Sequence, residues 1–258
     1  MPYKYGCMGL LFFVLVASRP SIADPVPVRL RQGTFHGFLV LKTVEGRTIA
    51  SGDLIQVVHG ELVQARLTFR FRDGSLDDEA TVFSQNKAFR LIRDHHVQRG
   101  PSYPKPMDMS VDAASGEVIY RDEHGTKTKQ HMDLPEDLTN GLLLTLLLNI
   151  DPAAPPVRLP YLAPAGKPRM VHIAIAAEGD EPVSIGGISR KATNFRIHIE
   201  LGGVVGLIAP ILGKEPSDLH FWILRSTVPA FVKGEGQLYE GGPVWRVELT
   251  SPVFPRNP

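Results

Sequence analysis

The sequence predicts a mainly β chain: a curved antiparallel sheet, a half-barrel or incomplete barrel, wrapped on one leucine-rich helix. Three observations predict it. Apolar and polar residues alternate with period two over much of the chain. Turn residues recur at short intervals between those runs. One run, Leu134 to Ile150, abandons the alternation and carries leucine on every side. Period-two patterning gives a sheet one apolar and one wet face, the habit of antiparallel strands.

In chain order, residues 1–23 come first. Lys4 precedes an apolar run from Gly6 to Ala17, and Ser21-Ile22-Ala23 sets small residues where a signal peptidase reads. That is the three-part pattern of an export signal, and the apolar run is shorter than the ~20 residues of a spanning helix. An N-terminal anchor is the alternative. Cleavage would leave residues 24–258 as one β-rich domain, periplasmic or secreted, with no transmembrane span. It would remove Lys4 and Arg19 from the 28 basic residues and none of the 27 acidic ones, leaving a net charge of −1. Such a balance gives no broad attraction to nucleic acid. The single cysteine, Cys7, leaves with the signal, so disulfides and thiol chemistry are excluded from the mature chain.

The strands follow. "ARLTFRF" sets Leu67, Phe69 and Phe71 against Arg66, Thr68, Arg70 and Arg72. "MVHIAIAA" aligns Val171, Ile173 and Ile175; "NFRIHIEL" aligns Phe195, Ile197, Ile199 and Leu201; "VWRVELT" aligns Trp245, Val247 and Leu249. Turn signals include Val44-Glu45-Gly46, His59-Gly60, Asp73-Gly74, Gln85-Asn86-Lys87, Ser115-Gly116, His124-Gly125 and Glu178-Gly179-Asp180. Together they mark about eleven or twelve strands.

Between two of these turns lies "LIRDHHVQRGPSYPKP", with its histidine doublet. Adjacent strand residues point to opposite faces, so His95 and His96 cannot readily share a metal. A hairpin pairing Ser84 with Lys87 sets Val82 opposite Phe89, Ala80 opposite Leu91 and Asp78 opposite Arg93, with His95 next on that face. The face starts apolar and ends polar, as a strand rising from a core to a cavity mouth would. Two readings stay open. Asp78, Arg93 and His95 form a solvated rim, or they bind the head of a ligand whose apolar part lies deeper against Phe89 and Leu91. A slip of one residue would exchange the faces.

In "LPEDLTNGLLLTLLLNI", Pro135 suits a first helical position and Glu136 and Asp137 suit the positive end of a helix. Leucine at 142, 143, 144, 146, 147 and 148 covers every side, so such a helix must be buried all round. Asn140-Gly141 either kinks it or ends a first short helix. Asp151 to Pro168 then holds six prolines in 18 residues. It suits neither a central strand nor a helix and reads as an extended crossover, or else as a linker. Gly202 to Leu212 reads as a buried strand pair, with an apolar lip for ligand, membrane or partner as the alternative. Trp222, Trp245, Phe221 and Phe231 read as core first and pocket lining second.

Catalytic and cofactor motifs are missing. There is no HExxH and no cysteine–histidine zinc spacing. "GGISRK" lacks the second glycine of a nucleophile elbow. "GLIAPILGKE" has six residues between its glycines where a phosphate loop has four, and Glu215 stands in place of the metal-binding hydroxyl. No cofactor and no metal are implied.

The export pattern, the long alternating strands and the leucine run after Pro135 resemble, in their order, the periplasmic outer-membrane lipoprotein carriers and related uncharacterised exported bacterial β-half-barrel domains. The likeness covers about Gly33 to Ile150. It implies a curved half-barrel over helices that holds acyl chains or other apolar molecules, and it carries over no functional residue. The Pro-rich crossover and "GEGQLYEGGPVWR" depart from that pattern. Three functions are expected in turn: a non-catalytic carrier of a hydrophobic small molecule or lipid; an envelope or extracellular hydrolase or lyase with a polar cluster near Arg93 and His95; or a structural partner of an envelope protein. An apolar cavity of ~300–1,000 Å³ would favour the first, a polar cleft with hydrogen-bonded titratable groups the second.

Overall fold

Short turns between alternating runs let most strands of this chain pair with the one before them. The computed structural model describes residues 25–164, 167–201 and 216–251. The expectations for residues 1–23 and for 202–212 lie outside the described residues. Among the described residues the first eight strands are β1 (Phe35–Thr43), β2 (Thr48–His59), β3 (Leu62–Phe71), β4 (Leu76–Asn86), β5 (Ala88–Arg99), β6 (Met107–Asp112), β7 (Glu117–Arg121) and β8 (Lys127–His131). After a short helix, α1 (Leu143–Leu147), come β9 (Val157–Ala163), β10 (Arg169–Ile185), β11 (Ile188–Glu200), β12 (Leu219–Leu224), β13 (Ala230–Gln237) and β14 (Val244–Thr250).

All fourteen belong to one antiparallel sheet in the order β8-β7-β6-β5-β4-β3-β2-β1-β14-β13-β12-β11-β10-β9. Two meanders meet where β1 pairs with β14, with Leu41 opposite Val247. The count exceeds the eleven or twelve expected. Glu178-Gly179-Asp180, expected as a turn, is a bulge within the 17-residue β10, and the chain reverses later at Gly186-Gly187. Both of those glycines have positive φ (57° and 80°), which a two-residue hairpin turn that follows the strand twist requires.

The alternating apolar faces form the core. Phe69, Phe71, Ile173, Ile175, Phe195, Ile197 and Trp245 are buried as their patterns predict, whereas Leu249 is half exposed. The sheet is curved, and contacts reach across its hollow side. The Gln98 amide on β5 donates to the Leu238 carbonyl just past β13 at 2.8 Å. Tyr103, after β5, stacks edge-on against Tyr239 with ring centroids 5.5 Å apart.

The outer edge strands are β8 and β9, so the chain from 132 to 156 must travel between the two ends of the sheet. It does so mostly without regular structure. The long buried helix expected from Leu134 shrinks to the five residues of α1. The cause is competition for backbone partners. Thr139 N–H donates to the Pro160 carbonyl of β9 (3.1 Å), and the Thr139 hydroxyl does the same (2.7 Å). The Asn140 side chain both donates to the Leu162 carbonyl and accepts from the Leu162 N–H, each at 2.9 Å. Gly141 then takes φ +67°, which ends any helix before it. Leu138, Leu142, Leu146, Leu147 and Ile150 are still buried, so the leucines reach the core without the long helix. The same bonds satisfy the free edge of β9, which would otherwise invite another chain to pair. Pro160 sits within β9, as proline can on an edge strand. The opposite edge, β8, carries exposed Lys127 and Lys129, another recognised guard against edge pairing.

Candidate functional site

The polar end of the interior is built by the β4–β5 hairpin. Asn86 pairs with Ala88, so the chain reverses at Lys87 alone, whose φ is 60°. Phe83 pairs with Leu91, but Val82 pairs with Arg93, which leaves Ile92 as an extra residue. Such a bulge exchanges the inward and outward faces of the strand beyond it. Before it, Phe89 and Leu91 are buried in the core. After it, Asp94, His96 and Gln98 point inward, and Arg93 and His95 point outward.

This corrects the register read from sequence. Asp78 lies opposite Val97 rather than Arg93. It sits on the outer face, where Arg66 donates to both its oxygens (2.8 and 2.9 Å) and the Thr68 hydroxyl donates at 2.6 Å. Partial burial works against its ionisation, but these donors win and hold its pKa below the ordinary value. Arg93 lies 3.6 Å from Asp112, and His95 Nε2 lies 2.9 Å from Asp108; both side chains are exposed. The residues proposed together on one face are therefore divided between the core (Phe89, Leu91) and the outer surface (Asp78, Arg93, His95).

The inner face brings together three cross-strand pairs instead: Asp77 with Gln98, Glu79 with His96, and Thr81 with Asp94. His96 Nε2 lies 2.7 Å from Asp77 Oδ1. Asp77 Oδ2 accepts from the Tyr103 hydroxyl at 2.8 Å and from Gln98 at 3.0 Å. The Thr81 hydroxyl donates to Asp94 Oδ1 at 2.9 Å, while Asp94 Oδ2 is buried with no partner. Glu79 has no hydrogen-bond partner among the described residues. Gly141 closes over this cluster so tightly that a Cβ there would collide with the Thr81 hydroxyl and lie 2.8 Å from Asp94 Oδ1.

Electrostatics follow from the geometry. Burial and the neighbouring Glu79 push the Asp94 carboxyl up to about 8. Burial also raises Glu79, against the attraction of His96. For His96 burial opposes the charge, but Asp77, Glu79 and Asp94 outweigh it and lift the imidazole to about 9. Tyr161 reaches the same cluster from β9, and its phenol is raised by burial and then by Glu79, Asp94 and Asp77. At neutral pH the cluster holds an imidazolium paired with Asp77 and a protonated Asp94. No three of the described His, Cys, Asp or Glu side chains are arranged to hold a metal ion.

Glu79, Thr81, His96 and Tyr161 form the polar end of a cavity of about 320 Å³. Its remaining walls come from both meanders: Leu39, Leu67 and Phe69 on one side, Ile173, Ile197 and Phe221 on the other, with Leu143, Leu144 and Leu148 from the crossing segment. Phe231 also lines it. Trp245 packs instead among Phe71, Tyr103 and Tyr239, and Trp222 joins Val183 and Ala192 in a separate small cluster. Among the described residues no lysine or arginine lines the cavity.

In architecture the chain resembles uncharacterised bacterial β-barrel-like domains. One is a β-barrel-like protein of a domain of unknown function, DUF1849, from Brucella abortus: 9% identity over 86% of this chain and 97% of that one, with a TM-score of 0.48. Another is the hypothetical lipoprotein YmcC from Escherichia coli: 8% identity over 84% and 85% of the two chains, with a TM-score of 0.34. No family model and no curated protein matches the chain.

The pattern alone turns His95 rather than His96 toward the face of Phe89 and Leu91, because it extends an unbroken strand parity through Ile92. The signal for the cluster was nevertheless present. Asp77-x-Glu79-x-Thr81 faces Asp94-x-His96-x-Gln98 across one hairpin, polar residues at period two on both strands. Chemically, the arrangement offers a largely apolar chamber with a buried cluster of titratable groups at one end.

Proposed function

We propose that this chain is a non-catalytic binding or carrier protein for a hydrophobic ligand, exported by residues 1–23 and working in the periplasm or outside the cell. The observation that carries the reading is the cavity of about 320 Å³ walled mainly by leucine, isoleucine and phenylalanine. Its volume lies at the small end of the range of small-molecule sites, which are apolar chambers with a few placed polar groups. Among the described residues no helix is long and apolar enough to cross a membrane. Residues Asp78, Arg93 and His95, on the outer face, take no part in this site in the proposal.

Native mass spectrometry of the protein purified without detergent from its host, with organic extraction, tests the reading. A stoichiometric apolar adduct is expected, and Leu67→Trp, which fills the chamber, should lose it while keeping a cooperative melt. An adduct retained by the folded Leu67→Trp variant would place the ligand elsewhere. A second reading, an acid–base enzyme acting on an apolar substrate, draws on the Glu79–Asp94–His96 cluster at the cavity end. Prolonged incubation with the extracted ligand separates the two: an unchanged ligand mass supports carriage, and a new product mass supports catalysis.

A further inference from the structure

The cavity has an unbalanced end. Three buried or cavity-facing carboxyls, Asp77, Glu79 and Asp94, share one cation, His96, which already sits 2.7 Å from Asp77. Two acceptors are unused. Glu79 faces the cavity without a hydrogen bond, and Asp94, only 2% exposed, leaves Oδ2 buried and unpartnered. Buried polar groups are nearly always satisfied, so Glu79, which faces the cavity unpaired, is the acceptor open to a ligand group. The remaining walls are mainly apolar, with the neutral polar Gln32, Gln56, Thr139, Thr145 and Gln237 among them, and no described lysine or arginine faces the chamber.

These facts discriminate among amphiphile heads. A carboxylate head would bring a further anion to a place with no free cation, and burying like charges together is costly. A hydroxyl head brings one donor. An ammonium head brings three donors and a counter-charge for Glu79. We infer that the cavity takes an amphiphile with a protonated amine head, accepted directly by Glu79, with the apolar tail along Leu67, Phe69, Ile197 and Phe221. Asp94, behind Thr81 and Gly141, does not touch the ligand. The inference rests on the binding reading above and specifies its ligand class.

Competition at pH 7 between decylamine, decanol and decanoate for a bound neutral fluorophore, N-phenyl-1-naphthylamine, tests it on the mature chain. Decylamine should displace the probe at roughly tenfold lower concentration than decanol, as one charge-assisted hydrogen bond would produce. Decanoate should be weakest. Glu79→Gln should bring decylamine to within about threefold of decanol. Equal potency of amine and alcohol in the wild type, or decanoate displacing best, would overturn the amine assignment and leave the cavity as a ligand site. The wild-type series needs no variant to fold. A probe that does not bind, or that none of the three displaces, would overturn the binding reading itself.

Discussion

Asp94 and His95 are neighbours in the chain and inhabit different media. Asp94 is 2% exposed, and His95 shows half its side chain to solvent. The difference carries through to mutation. His95→Ala should change stability by less than about 0.5 kcal/mol, since an exposed pair such as His95–Asp108 contributes little. His96→Ala should cost on the order of 3 kcal/mol, because it strands Asp77 in the interior without its counter-charge. Chemical denaturation of the two variants side by side checks this; equal midpoints would refute the assignment of His96 as the inward residue. Gly141 gives a second test at this scale. Gly141→Ala forces a methyl group onto Thr81 and Asp94 at a φ of +67° and should cost roughly 2–4 kcal/mol. A variant with wild-type stability would show that Gly141 does not seal the cluster.

At the scale of elements, the segment between β8 and β9 works as a strap across the hollow of the sheet. Its leucines fill the core, and Thr139 and Asn140 bond the edge of β9. Asn140→Ala removes both side-chain bonds to Leu162 and should cost about 2–3 kcal/mol. Amide hydrogen exchange should then quicken at Leu162 and along β9 before other strands. Exchange that quickens uniformly, or not at all, would argue against a local edge role. The strap also shows why period reading fails here. Leucine on every side is the signature of burial, and burial was correct. Helix was only the commonest way to achieve it, and β9 competed successfully for the backbone groups that a helix from Leu134 would have used.

At the scale of the molecule, the buried cluster makes stability depend on pH. Asp94, with a folded pKa of about 8, holds a proton that the unfolded chain releases near 4. His96, with a folded pKa of about 9, holds one that the unfolded chain releases near 6.5. The native state therefore binds more protons than the unfolded state from about pH 4 to 9, and stability falls as pH rises through that window. The groups facing this pair are Asp77 and Glu79 from β4, Tyr103 after β5 and Tyr161 from β9. The melting temperature should drop by more than about 10 °C between pH 5 and pH 9, and Asp94→Asn should flatten the lower half of that slope. A melting temperature that rises with pH over this range would contradict the cluster's charge state.

What the sequence by itself determined is the β architecture, the inward faces of most strands, most turn positions and the burial of the leucine run. Each of these depends on local chemistry: period two, glycine's positive φ and the cost of exposing leucine. What only the tertiary structure decided is the site. One extra residue, Ile92, reverses the faces of β5, so that His96 rather than His95 turns inward. Whether a strand bulges depends on how its partners pack on both sides, which the strand's own pattern does not encode. The cavity likewise needs β9, at the far end of the sheet order from the β4–β5 hairpin, to face it across a curved sheet. That encounter is set by the sum of twist and closure over fourteen strands, and no single stretch of sequence contains it.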